Sequence, residues 1–305
     1  MNRVEMALRH AVLKPARAGP GMLERVAPFI FVFLWSTGFI GAKYGLPYAE
    51  PFTFLAVRMA ITFVLLIVMA LLLKRQWPGL PAAGHSMVTG ILIHGGYLGA
   101  VFWVIDNSMP AGIAALIVAM QPLLTVLIAR LLLGEKATRR QIIAFFFALG
   151  GVFMVILPRL EGVAEATGIT PLNSAVTLFS VLAIALGTVY QKRFAADVGV
   201  VSGTTAQYFG ACLFLSVLSF FFETGHIEWT LQFILAMVWL VVVLSLGAVM
   251  LLMVLIRRNS SASTASLFYL VPVFTAVFAW LLFGETLTPV QIAGMAVVVA
   301  AVARA

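Results

Sequence analysis

Arg58 and His94 are the residues whose type and setting most directly invite chemistry, because each sits inside a long apolar run. Arg58 falls about seven residues into its run. A charge at the centre of a membrane span costs about 2.5–3.5 kcal/mol and so must face protein or water. Arg58 either holds an anionic carboxylate, pairs with a helix end, or snorkels outward. His94 lies in HGGYLGAVFW, where Gly95, Gly96 and Gly99 let a neighbour or a ligand approach closely. It is either a proton carrier, since its charge changes near neutral pH, or a hydrogen-bonded buried histidine. Tyr97 and Trp103 lie on the same helix. Gln121, beside Pro122, is a buried amide that needs partners, and Gln207 and Tyr208 sit at a similar depth of a later run. Ser261, Ser263, Ser266 and Tyr269 open another run with polar groups, and Ser266 and Tyr269 share a helix face. Trp35, Ser36 and Thr37 give the first run the same polar and aromatic character. The candidate lining of a cavity is therefore Trp35, Thr37, Arg58, His94, Tyr97, Trp103, Gln121, Gln207, Tyr208, Ser266 and Tyr269. Such a pocket suits a zwitterion with an apolar or aromatic side chain. In the competing reading the hydroxyls tie helices together and the aromatics pack. Lys43, near the end of the first run, either meets a ligand or snorkels.

Other chemistries lack their residues. There is no GxxxxGK[ST] phosphate loop, no HExxH and no Cys/His cluster, and Cys212 is the single cysteine. No metal, cofactor or catalytic residue is expected. An intramembrane enzyme would need paired catalytic groups within the spans, and only Arg58 and His94 are available. All 11 acidic residues fall in loops, tails or span ends, which disfavours an organic-cation pump with an acid in its cavity.

The elements that carry these residues are set by composition. The chain is 63% hydrophobic and 10% charged, with mean hydropathy +1.10, where soluble domains carry roughly 25% charged residues. It reads as an all-α integral membrane protein. Ten candidate spans run 26–44, 51–73, 85–105, 110–133, 138–157, 172–192, 200–222, 229–256, 260–283 and 287–304. Net charge +8 does not point to nucleic acid, because the basic residues sit in short loops. Those loops alternate, basic then neutral or acidic, along the whole chain. The positive-inside rule then places both termini in the cytoplasm. Residues 1–25 read as a basic cytoplasmic tail without a signal peptide, 26–157 as a first repeat, 158–171 as an external linker and 172–305 as a second repeat.

The repeat is read from one offset. Pro122 and Pro272, Gly134 and Gly284, Glu135 and Glu285, Thr138 and Thr288, and Gln141 and Gln291 are each 150 residues apart. Five spans per half is an odd number, so the halves enter the bilayer in opposite senses. Pro122 and Pro272 each deprive a mid-span carbonyl, at Val118 and Phe268, of its helical partner. Each is either a gate at a transport path or a static kink. Glu135 and Glu285 follow Gly134 and Gly284 at span ends, and read as turn carboxylates or as partners of a loop base such as Arg139.

Two copies of an apolar helix with a central proline, then Leu-Leu-x-Gly-Glu-x-x-Thr-x-x-Gln and a fifth helix, resemble the EamA family of the drug/metabolite transporter superfamily. LWSTGFIGAKYGL in the first span and Arg58 in the second add to the likeness, which covers about residues 27–304. Within the superfamily the chain is more similar to the YddG-type amino-acid exporters than to nucleotide-sugar carriers or four-helix multidrug pumps. The resemblance implies ten transmembrane helices in two inverted five-helix repeats around a central cavity. It also implies a small-molecule substrate, often an amino acid or other metabolite, exported across the inner membrane. The second half departs from the pattern where Ala185-Leu186-Gly187 replaces Trp35-Ser36-Thr37. The substrate, proton coupling and the choice between monomer and homodimer are left open. A multidrug pump and a non-transport scaffold are the alternatives.

Overall fold

The computed structural model describes residues 22–134, 138–160, 168–248, 251, 270–285 and 287–303. Hydrocarbon offers no hydrogen-bond partner, so an apolar chain satisfies its backbone in helices. The described helices are α1 (Met22–Gly45), α2 (Pro51–Leu72), α3 (Leu80–Asp106), α4 (Ala111–Leu133) and α5 (Arg139–Leu160), then α6 (Pro171–Phe194), α7 (Val200–Phe222), α8 (Leu231–Ala248), α9 (Val271–Phe283) and α10 (Pro289–Ala303). Seven of these are long and apolar enough to cross a bilayer, and the described parts of α9 and α10 are shorter apolar helices. Large apolar side chains such as Phe220 and Leu131, each 81% exposed, point outward, as a lipid-facing surface requires.

Local sequence sets the helix starts. Pro51, Pro81 and Pro171 stand in first turns, where the missing N–H costs nothing. Thr170 and Thr230 cap α6 and α8 through bonds from Asn173 N and Phe233 N. Two helix starts fall four or five residues earlier than expected. The helix of the expected tail begins at Met22, and α3 begins at Leu80 rather than 85, because Gly79 and Pro81 form a start signal that hydropathy alone misses.

The two halves pack by one exchange rule. Helices α2 and α7, α4 and α9, and α5 and α10 pack against their own counterparts. The contact of α3 with α6 is answered by that of α8 with α1, and α4 with α6 by α9 with α1. The sense is inverted. The end of α1, the start of α2, the start of α4, the end of α7 and the end of α9 are joined at one face by Ala49–Ile227, Glu50–Thr224 and Glu285–Ala111 contacts. That face carries Glu50, Asp106, Glu223, Glu228 and Glu285, and the opposite one Lys74, Arg75, Arg139, Arg140, Lys192 and Arg193.

Between the halves, α3 and α7 cross almost backbone to backbone. A Cβ on Gly90 would fall 2.0 Å from the Gln207 carbonyl oxygen, and one on Gly210 would fall 2.7 Å from that of Met87. Small residues are what permit such crossings in membranes. Gly90→Val should therefore cost roughly 1–3 kcal/mol or more through overpacking. It is expected to lower the unfolding temperature of detergent-purified protein, while Gly79→Ala, which meets nothing within 4 Å, leaves it unchanged.

Candidate functional site

The first proline of the repeat follows a backbone break. Helix α4 stops at Val118 and resumes at Gln121. The gap is closed by short bonds, from Ala119 N to Leu116 O and from Met120 N to Ile117 O. The break thus precedes Pro122 instead of centring on it, because Pro122 fits the first turn of the resumed segment without losing a bond. Leu270 precedes α9 with the backbone angles that Met120 has before Gln121, φ −82° and ψ −20° against −73° and −13°.

A cavity opens beside the α4 break, near the midpoints of its helices. It is bordered by Trp35 and Phe39 of α1, Tyr97 of α3, Val118, Gln121 and Pro122 of α4, Ile184 of α6 and Val271 of α9. Its volume is about 20 Å³, room for about one water, so a solute of amino-acid size enters only after the helices part. Gln121 turns its amide onto Thr125 Oγ1 at 3.2 Å. Ser36 donates to Val32 O at 2.7 Å and to Val271 O at 3.3 Å, and Thr275 Oγ1 donates back to Ser36 O. Ser36 thus ties α1 to α9 beside Pro272.

Next to this cavity lies a buried polar cluster around Arg58. Arg58 is 5% exposed, and its guanidinium donates to Ser245 Oγ from Nη2 at 3.1 Å and Nε at 3.3 Å. Tyr97 and Tyr208 stand close enough to act on it electrostatically. Tyr208 lies beside Ser245 and packs against His94 at a tilt of 37°, with ring centroids 4.5 Å apart. His94 lies beside the Gln207 side chain. Among the described residues no carboxylate lies within ion-pair distance of Arg58. The cluster is assembled by two π-helical segments, Ile91–Leu98 in α3 and Trp239–Ala248 in α8. These occupy equivalent places in the two halves. Such wide turns are rare and often sit at functional sites. Arg58 and Tyr208 are also counterparts, 150 residues apart.

The remaining sequence candidates fall elsewhere. Thr37 points away from Trp35, accepting from Trp239 Nε1 at 2.8 Å and bordering an apolar groove between α1 and α8 with Tyr44 and Leu235. Two residues along a helix turn about 200°, so neighbours in sequence part company. Trp103 is half-buried near the acidic face, its carbonyl accepting from Asn107 Nδ2, and does not border the cavity. Ser266, Tyr269 and Glu135 lie outside the described residues. Gly134 and Gly284 end α4 and α9 in the left-handed region, φ 69° and 66°, as a helix stop commonly does. Thr138 and Gln141 bond reciprocally, as do Thr288 and Gln291. The motif Thr-x-x-Gln is therefore a capping box that starts α5 and α10.

Glu285 reaches past its turn. Its carboxylate meets the Lys43 ammonium and accepts from Ala111 N at 3.3 Å, while Lys43 also lies 4.5 Å above the Phe283 ring. Glu223 accepts from Phe52 N and Thr53 N, and Glu50 from Thr224 N and Gly225 N. The acidic face is laced shut between the halves by these carboxylates. Sequence reasoning missed Ser36 and Ser245 as partners and the Lys43–Glu285 pair, since each contact joins residues far apart in the chain.

The family model described as the EamA-like transporter family matches residues 26–157 and 174–304. The chain is 26% identical over 279 residues to the uncharacterized transporter YvbV of Bacillus subtilis, covering 89% of this chain and 87% of that protein. It is 26% identical to the uncharacterized inner membrane transporter YedA of Escherichia coli, covering 90% and 88%. A probable amino-acid metabolite efflux pump of Salmonella typhimurium is 25% identical over 89% of this chain and 90% of its own. A solved crystal structure shares the fold with a TM-score of 0.64 at 19% identity, over 91% of this chain and 94% of the other. The bundle is that of a multi-pass membrane transporter and not of an enzyme, and with both repeats matched the chain belongs to the EamA-like transporter family.

Proposed function

We propose that this transporter exports amino acids with aromatic or other apolar side chains, or similar small metabolites, across a bacterial cytoplasmic membrane. The observation that carries the reading is the midplane cavity at the junction of the halves, edged by Trp35, Tyr97 and Gln121 and flanked by a buried cation. An aromatic wall suits an apolar side chain, and an amide and a guanidinium suit the charged end of an amino acid. Similarity to a protein named as a probable amino-acid metabolite efflux pump supports the same class. By the loop charges, the basic face is cytoplasmic, with both termini on that side. The halves rock about the cavity, the proline-bearing helices α4 and α9 bend as gates, and the acidic face, closed here, opens as the basic face closes.

Flux tests this directly. Proteoliposomes of the purified chain are expected to carry phenylalanine or leucine, and Pro122→Ala with Pro272→Ala should lower the rate several-fold. Unchanged flux in the double variant removes the bending role. A rate that follows an imposed pH gradient assigns proton coupling, and one that ignores it assigns facilitated diffusion.

The closure of the acidic face gives a second prediction. A part-exposed ion pair contributes about 1 kcal/mol or less, so Lys43→Met or Glu285→Gln should raise opening by up to about five-fold. The readout is the labelling rate of Trp35→Cys by a membrane-impermeant thiol reagent, in a Cys212→Ser background. Restoration by the swapped pair Lys43→Glu with Glu285→Lys is expected. Equal labelling in all these proteins would show that the pair does not hold the face.

A further inference from the structure

We propose that Arg58 is an anion anchor, which in the substrate-bound state receives a carboxylate in place of the hydroxyl it holds here. The inference rests on the transport reading above and names the ligand group that this site takes. A guanidinium has five N–H donors in a rigid fork. In the structure two of the donating nitrogens share one acceptor, Ser245 Oγ. The groups crowded around it, Tyr97, Tyr208 and Ser245, are hydroxyls without formal charge. A cation kept 5% exposed in the middle of a bilayer, without a carboxylate among the described residues, is complete only when an anion joins it. Arginine is the side chain whose geometry meets both oxygens of a carboxylate at once, which a lysine cannot do.

The route to the site is Tyr97. This residue borders the cavity and lies close enough to Arg58 to act on it electrostatically. A ligand with its apolar body between Trp35 and Phe39 would therefore direct its acid group past Tyr97 toward the guanidinium. Among the described residues of the cluster Arg58 is the one permanent cation, because the second half places Tyr208 where the first has Arg58. One anion per ligand, held in one orientation, follows from that asymmetry. The two π-helical segments supply Tyr97 and Ser245, so the groups that must yield to the incoming carboxylate sit on the irregular turns of their helices.

The test uses the purified full chain in nanodiscs and four probes of one size: phenylalanine, 3-phenylpropionate, phenylalaninamide and phenethylamine. Binding is read by calorimetry. The wild type should bind one or both acids at least about ten-fold more tightly than the two ligands without a carboxylate. Arg58→Gln should abolish that preference, and Arg58→Lys should keep part of it. Ser245→Ala, which leaves the charge in place, should keep the preference and serves if Arg58→Gln does not fold. The proposal is overturned if Arg58→Gln still prefers the acids, if Ser245→Ala and Arg58→Lys both lose affinity equally for acid and amide, or if neither acid binds the wild type. Binding of 3-phenylpropionate without phenylalanine would keep the anchor and discard the amino-acid reading. Equal binding of phenylalanine and its amide would do the reverse.

Discussion

The absence of hydrogen-bond partners in hydrocarbon is the constraint on which this structure depends. It forces nearly every described residue within the membrane into a helix and makes any departure costly unless protein or a cavity receives the freed groups. The departures are few and they coincide. The α4 break at Ala119–Met120 borders the cavity, and the π-helical turns of α3 and α8 hold the groups around Arg58. Irregular backbone has gathered where polar side chains are also buried.

The inverted repeat explains the frame, and its exceptions explain the site. Gly134 and Gly284 stop their helices with nearly identical angles, and the Thr-Gln capping boxes start the next helices in both halves. These are architectural and are kept twice. Ser36 bonds α1 to α9, while the equivalent Leu186 of α6 offers no hydroxyl to α4. Arg58 faces Tyr208, its own counterpart, so a symmetric scaffold holds one charge. A pathway built from a two-fold frame becomes directional through such unequal positions.

Much of this was legible in the residues. The spans follow from hydropathy, and the inverted sense from an odd number of helices per half and alternating loop charge. Arg58, His94, Tyr97, Gln207 and Tyr208 stand out as polar groups in apolar runs, and they meet in one cluster. What stayed hidden has physical causes. A π-helical turn has no composition of its own, so the rotation that brings Ser245 to Arg58 could not be read. Thr37 shares its neighbourhood in sequence with Trp35, but the helix sends them to opposite sides. Glu285 looks like part of a turn, and its partner Lys43 lies 242 positions away, a distance across which only tertiary structure speaks.

The central claim is that the halves close one face as they open the other around the cavity. Spin labels at Asn107 and His226 report the acidic face, and labels at Arg75 and Asp197 the basic face, each pair with one label per half in a Cys212→Ser protein. Double electron–electron resonance in nanodiscs, with and without a transported amino acid, measures both separations. The account predicts that the ligand lengthens the acidic-face distance and shortens the basic-face one. Two distances that stay fixed, or that move in the same direction, would contradict it.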